Sequence, residues 1–279
     1  MTRRSSLCLI AIVLAAVSVA LTSTPASAQE WAKAALDKSP RHREYVPIRA
    51  GSRTVNTLIV YPETSRKAPV VVMIHEIFGL SDWAKSMADE LAAQGYIVLA
   101  PDLLSGTGPN AAGSAGGGTD SYPGMDAITK AVSGLPADQV NADLDAVADF
   151  GLKLPSANGK LAVTGFCWGG GKTFAFATHR KGLGGAFVFY GPPPDTSAMA
   201  SITAPVSGFY AGNDARIDAT IPATVEAMKA AGKRFDPVIY DGAGHGFMRA
   251  GEAPDATPAN KKARDDAFGR LTSLLKPLQ

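Results

Sequence analysis

From residue 54 onward, short apolar runs alternate with stretches in which apolar residues recur every three or four positions. TVNTLIVY (Thr54 to Tyr61) and VVVMIH (Val70 to His75) read as strands. The second is apolar throughout, as a strand covered on both faces should be. Asp82 to Gln94 reads as a helix that stops at Gly95, and YIVLA (Tyr96 to Ala100) as another buried strand. Val140, Leu144 and Val147 follow offsets of four and three, which predicts an amphipathic helix. Strands are expected at Leu161 to Thr164, Phe187 to Tyr190, Val206 to Ala211 and Phe235 to Tyr240. Ile221, Val225 and Met228 mark a helix between the last two strands, and Ala267, Leu271 and Leu274 mark one near the end. The stretch from Ser105 to Gly124 is too glycine-rich for regular structure and reads as a mobile loop. No repeat is visible. Strands and helices alternating in this order imply an α/β fold, with a mainly parallel central sheet and helices on both faces. In open sheets of that kind ligands bind beyond the carboxyl ends of the strands, so the residues just after each strand are where chemistry is sought.

The first 28 residues have a different pattern. Arg3 and Arg4 precede an apolar run from Leu7 to Leu21, and Ala26-Ser27-Ala28 is a small-residue cleavage pattern, so residues 1–28 read as a secretory signal peptide. The run is short for a membrane span, which takes about 20 apolar residues. A retained anchor is the alternative. Thr2-Arg3-Arg4 is compatible with twin-arginine export, but Ser6 stands where that signal usually has a large apolar residue, so the route is open. Residues 29–279 are then one exported domain, periplasmic or secreted, with a sizeable core. The removed segment holds two arginines and no acid, so the +2 charge of the whole chain falls to zero. No basic stripe argues for nucleic acid or an anionic membrane, and a monomer is expected.

Cysteine usage sharpens the picture. Cys8 leaves with the signal and Cys167 remains alone, so the mature chain has no internal disulfide. A cysteine zinc site would need more thiolates or clustered histidines, and no metal is expected. What remains is a buried structural thiol or a reactive one. Cys167 sits in GFCWGGG, directly after the strand LAVT. That is a G-x-C-x-G form of the nucleophile elbow, in which a strand turns sharply into a helix with the nucleophile at the strained turn. The helix N-terminus favours thiolate, and the backbone N–H of Trp168 would point at a developing oxyanion. Asp214 follows the strand ending at Ala211, and His245 follows the strand ending at Tyr240. Cys, Asp and His in that chain order, each after a strand, is the arrangement of an α/β-hydrolase triad. Against this, Cys167 could be a packed thiol, Asp214 a helix cap, and His245 a surface histidine. Asp218 is the rival acid. His75 ends a strand and is a candidate to line the pocket, whereas HEIFG is no H-e-x-x-H zinc motif, because Gly79 replaces the second histidine.

With these residues in place the chain resembles the dienelactone hydrolase family. Besides the triad, the likeness rests on His75-Glu76-Ile77-Phe78-Gly79-Leu80, Pro101-Asp102-Leu103 and His245-Gly246-Phe247-Met248-Arg249, and it runs from about Val46 to Leu275. The resemblance implies an α/β-hydrolase fold, a Cys-His-Asp triad, no cofactor, and hydrolysis of an enol-lactone or similar activated ester carrying a carboxylate. It makes Glu76 a regulatory glutamate that helps form the thiolate once an acidic substrate competes for its partner, Arg249. Ile77 would give the second oxyanion N–H. The alternative for Glu76 and Arg249 is a structural salt bridge. Two departures weaken the assignment of a dienelactone substrate: Gly246 stands where the family enzyme has serine, and the family's second substrate-binding arginine has no clear counterpart. A general esterase or thioesterase is the enzymatic alternative, and an inactive periplasmic binding module the non-enzymatic one.

Overall fold

A computed structural model describes residues 29–109, 111 and 116–279. The expected signal peptide lies outside the described residues. The elements are β1 (Arg43–Ala50), β2 (Arg53–Val60), β3 (Ala68–Ile74), β4 (Ile97–Pro101), β5 (Ala157–Phe166), β6 (Ala186–Phe189), β7 (Val206–Ala211) and β8 (Phe235–Tyr240), with helices α1 (Glu30–Asp37), α2 (Asp82–Ala93), α3 (Met125–Ser133), α4 (Ala137–Lys153), α5 (Trp168–His179), α6 (Ala215–Asp218), α7 (Ile221–Ala230), α8 (Phe247–Ala250) and α9 (Pro258–Leu275).

The strands form a single sheet in the order β1-β2-β4-β3-β5-β6-β7-β8. Its first two pairings, β1 with β2 and β2 with β4, are antiparallel, and the others are parallel. The chain moves outward from β3 to β4, then returns to place β5 on β3's other side. This change of direction leaves a crevice past the ends of β3 and β5, the usual ligand position in such sheets.

Alternate residues of β3 explain its unbroken apolar run. Val71 and Met73 join one core with Trp83, Met87 and Leu91 of α2 and Ala267, Leu271 and Leu275 of α9. Val70, Val72 and Ile74 join the opposite core with Val140, Leu144 and Val147 of α4 and Phe174 of α5. Each face is therefore closed by helices, as the pattern predicts.

The structure adds elements that periodicity does not reveal. Strand β1 is an edge strand that buries only Ile48 and Ala50 and contains Pro47, so it carries little apolar signal. The described part of the glycine-rich stretch is tied down. Asp102, just past β4, accepts hydrogen bonds from the backbone N–H of Thr119 at 2.7 Å and from its hydroxyl at 2.9 Å. The same hydroxyl accepts the Leu80 N–H at 2.9 Å. This polar anchor gives a 3-10 turn at Thr119–Ser121, in a stretch that composition alone assigns to an irregular loop.

Candidate active site

Cys167 occupies the turn from β5 into α5 with φ 56° and ψ −116°, a conformation that costs a side chain of order 1–3 kcal/mol and is held only by its surroundings. Its own N–H donates to the Phe189 carbonyl at 3.0 Å. Helix α5 lies so close to the end of β3 that a Cβ on Gly169 would stand 2.3 Å from the His75 carbonyl oxygen. That close approach is why the sequence needs glycine after the elbow. The Trp168 indole stacks on the fully buried His75 ring with centroids 5.7 Å apart. His75 donates its Nδ1–H to the Glu76 carbonyl at 2.7 Å, and burial lowers its pKa and keeps the ring neutral.

The loops after β7 and β8 are bonded to each other. Asn213 N–H donates to the Ala243 carbonyl at 2.9 Å, and its side-chain amide to the Gly242 carbonyl at 3.0 Å. Asn260 of α9 accepts the Gly244 N–H at 2.9 Å. These contacts fix His245 opposite the elbow. His245 Nδ1 lies 2.5 Å from Asp214 Oδ2, and Nε2 lies 3.1 Å from Cys167 Sγ. The three side chains expected to converge do so in one hydrogen-bonded line. The hydrogen bond to Cys167 is the largest influence on His245. With the further help of Asp214, it raises the imidazole from 6.5 to about 9 against an opposing effect of burial.

Asp214 heads α6, but its side chain makes no capping bond; it faces His245 instead. Asp218 makes no bond to His245, and its Oδ1 is buried with no partner among the described residues. Burial, and then the nearby Asp214 charge, push its pKa up. Ile77, after β3, and Trp168, at the start of α5, each present a backbone N–H with no acceptor among the described residues.

Glu76 is 2% exposed and makes an ion pair with Arg249, whose Nε donates to Oε2 at 2.9 Å. The Tyr190 hydroxyl lies 3.5 Å from Oε1. Burial raises the Glu76 pKa, and the Arg249 charge offsets part of that rise. Neither carboxylate oxygen bonds to Cys167. The Arg249 guanidinium also lies over the Phe78 ring, 5.1 Å from its centroid.

Sequence reasoning missed Tyr190. It is fully buried, adopts φ 39°, and packs edge to face with the rings of His245 and Phe247, centroids 5.1 and 5.2 Å away. Its position as the last residue of the expected strand Phe187 to Tyr190 was the only available signal, and that signal did not distinguish it from an ordinary core tyrosine. Among the described residues no cluster of His, Cys, Asp and Glu is placed to hold a metal ion, and no helix is long and apolar enough to cross a membrane.

Comparison with known proteins bears on the family and the fold. The family model described as the dienelactone hydrolase family matches residues 55–279. A protein of Methylorubrum extorquens named carboxymethylenebutenolidase is 34% identical over 192 residues, covering 64% of this chain and 63% of the relative. One of Salmonella typhi with the same name is 32% identical over 191 residues, covering 64% of this chain and 67% of the relative. The matched stretch thus spans about two thirds of these relatives' length, and slightly less in the first. A solved dienelactone hydrolase structure from Klebsiella pneumoniae superposes with a TM-score of 0.72 at 26% identity, covering 85% of this chain and 98% of the other.

Proposed function

Because the chain belongs to the dienelactone hydrolase family, we propose that it hydrolyses a lactone or activated carboxylic ester, with an acidic group on the substrate, through Cys167, His245 and Asp214. The single observation that carries this reading is the unbroken line from Asp214 through the His245 imidazole to the Cys167 sulfur, at 2.5 and 3.1 Å.

The His245 imidazole, hydrogen-bonded to Cys167 and held by Asp214, takes the thiol proton, so that sulfur reacts as thiolate. The thiolate attacks the carbonyl carbon. A C–S bond forms, and the carbonyl π pair moves onto oxygen, where the N–H groups of Trp168 and Ile77 stabilise it. Collapse of the tetrahedral adduct breaks the C–O bond, and the leaving oxygen takes the proton from His245. The resulting thioester is then attacked by water, whose proton passes to the now neutral imidazole. Breaking the C–S bond releases the carboxylic acid and restores the thiolate–imidazolium pair. Asp214 holds the imidazole in the required tautomer and stabilises its charge. A thiolate suits good leaving groups, hence activated esters and enol-lactones.

The acidic substrate is supported by Arg249. Its guanidinium spends one N–H on Glu76 and stands at the edge of the site. A substrate carboxylate competing for that charge would leave Glu76 to act near the sulfur. Export, supported by the pattern of residues 1–28, is part of the same proposal and is tested by cell fractionation. For the chemistry, Cys167→Ala and His245→Ala are each assayed with chromogenic esters that do and do not bear a carboxylate. Turnover is expected to vanish in both. Turnover retained in either ends the triad mechanism, and indifference to the carboxylate ends the role given to Arg249.

A further inference from the structure

Helix α1 lies outside the stretch that matches the family, which begins at residue 55, yet its Trp31 shares a cavity with Arg249. It is pinned at both ends. The Gln29 side-chain oxygen accepts the Trp83 backbone N–H at 2.9 Å, and the Leu36 carbonyl accepts from Arg43 Nη1 at 2.8 Å. Ala32 and Leu36 are buried beneath it. So held, α1 sets Trp31 as one wall of a cavity of about 600 Å³, whose other lining includes Arg249, Ala250, Ala253, Pro254 and Asn260. That volume falls within the usual range for small-molecule sites, roughly 300–1,000 Å³.

The lining has one cationic feature. Arg249 donates only its Nε–H, to Glu76, while its Nη1 and Nη2 groups donate to no described residue. A guanidinium with unpaired N–H groups suits a carboxylate, which it can bind with two parallel hydrogen bonds. Opposite it are an indole and small apolar side chains, which suit a flat apolar body. The carboxylate of Asp255 also borders the cavity, but it is solvent-exposed and its repulsion is screened by water.

We propose that this cavity is a subsite for an aryl carboxylate, with Trp31 as the residue that selects a planar group over a small acid. The inference deepens the hydrolase reading and rests on it for its kinetic consequence, but not for binding. The test is calorimetric titration of the protein with sodium benzoate and, separately, sodium acetate. Wild type is expected to bind benzoate about tenfold tighter than acetate. Trp31→Ala is expected to lower that preference by about five- to tenfold, the scale of an aromatic contact. Ala253→Trp keeps Trp31 and fills the cavity, so it should lose benzoate binding even if Trp31→Ala fails to fold. For the wild type, the KM for an ester of an aryl dicarboxylate should lie below that of its neutral counterpart, and Trp31→Ala should narrow the gap. Benzoate bound no tighter than acetate, or bound equally by wild type and Ala253→Trp, overturns the proposal. The two readings fail separately. Absent turnover with selective benzoate binding removes the hydrolase reading and leaves the subsite. Turnover without benzoate selectivity removes the subsite alone.

Discussion

Replacing Arg249 with glutamine strips the charge partner from a carboxylate that is 2% exposed. Breaking a buried ion pair from one side usually costs about 3–5 kcal/mol, because the remaining charge stays buried without compensation. Arg249 is itself 31% exposed, so part of its interaction is already screened by water. About 2–3 kcal/mol is the reasonable expectation at high pH. Glu76 can escape the penalty by taking up a proton. Its pKa is already raised by burial, and the two Arg249 contributions that restrain the rise would be gone. In Arg249→Gln the folded state then retains a proton that the unfolded chain releases near 4.5. When the folded state binds more protons than the unfolded, stability falls as pH rises. The destabilisation should therefore be small at pH 4.5 and grow with pH until the folded carboxylate ionises, with a slope of at most about 1.4 kcal/mol per pH unit. Urea unfolding of wild type and variant at pH 4.5, 6 and 8 measures it. In Glu76→Gln/Arg249→Gln the pH-dependent part should disappear. A deficit that is equal at all three values, or one that the double variant retains, would refute the reasoning.

Three further outcomes are expected. In an NMR titration the His245 imidazole should show a pKa of about 9, falling toward 6.5 in Cys167→Ala, since the hydrogen bond to that sulfur is the first cause of the rise. Its contribution to stability, full below about 6.5, should fade as pH passes about 9. Thr119→Val leaves the buried Leu80 N–H without its acceptor and removes the hydroxyl donor to Asp102, which keeps its backbone donors; about 1–3 kcal/mol should be lost in urea unfolding. Gly246 has φ 78°, and a Cβ there would have ordinary clearance, 3.6 Å from Arg249 Nη2. Gly246→Ala should therefore cost only the left-handed backbone penalty of about 1–2 kcal/mol, read as a drop in melting temperature, with the Glu76–Arg249 pair intact.

Much of the fold was legible because burial on both faces leaves a local mark. The apolar runs that became β3, β4 and β7 are properties of neighbouring residues, and each of these strands was found within a residue or two of its expected bounds; the offsets of Val140, Leu144 and Val147 likewise marked α4, whose ends they did not give. Elements without such a mark were not found. Strand β1 buries only Ile48 and Ala50, and α1 only Ala32 and Leu36. The loop after β4 is held by Asp102 and Thr119, two polar residues 17 positions apart whose attachment no hydropathy pattern reports.

The candidate site divides in the same way. Chain order and position after strands identified Cys167, Asp214 and His245, because a parallel sheet must deliver its strand ends to one edge whatever the details. By itself, then, the sequence determined a mainly parallel sheet built from the buried strands, most of its covering helices and the set of side chains available at its rim. Distances and protonation were settled by tertiary structure. The contact between His245 and Cys167, 78 residues apart, the pairing of Glu76 with Arg249 across 173 residues, and the edge-to-face contact of Tyr190 with the imidazole depend on how distant loops meet. The physical reason is range: hydrophobic periodicity acts over a few residues, whereas a pKa or a hydrogen bond is set by whatever lies within a few ångströms, however far away along the chain.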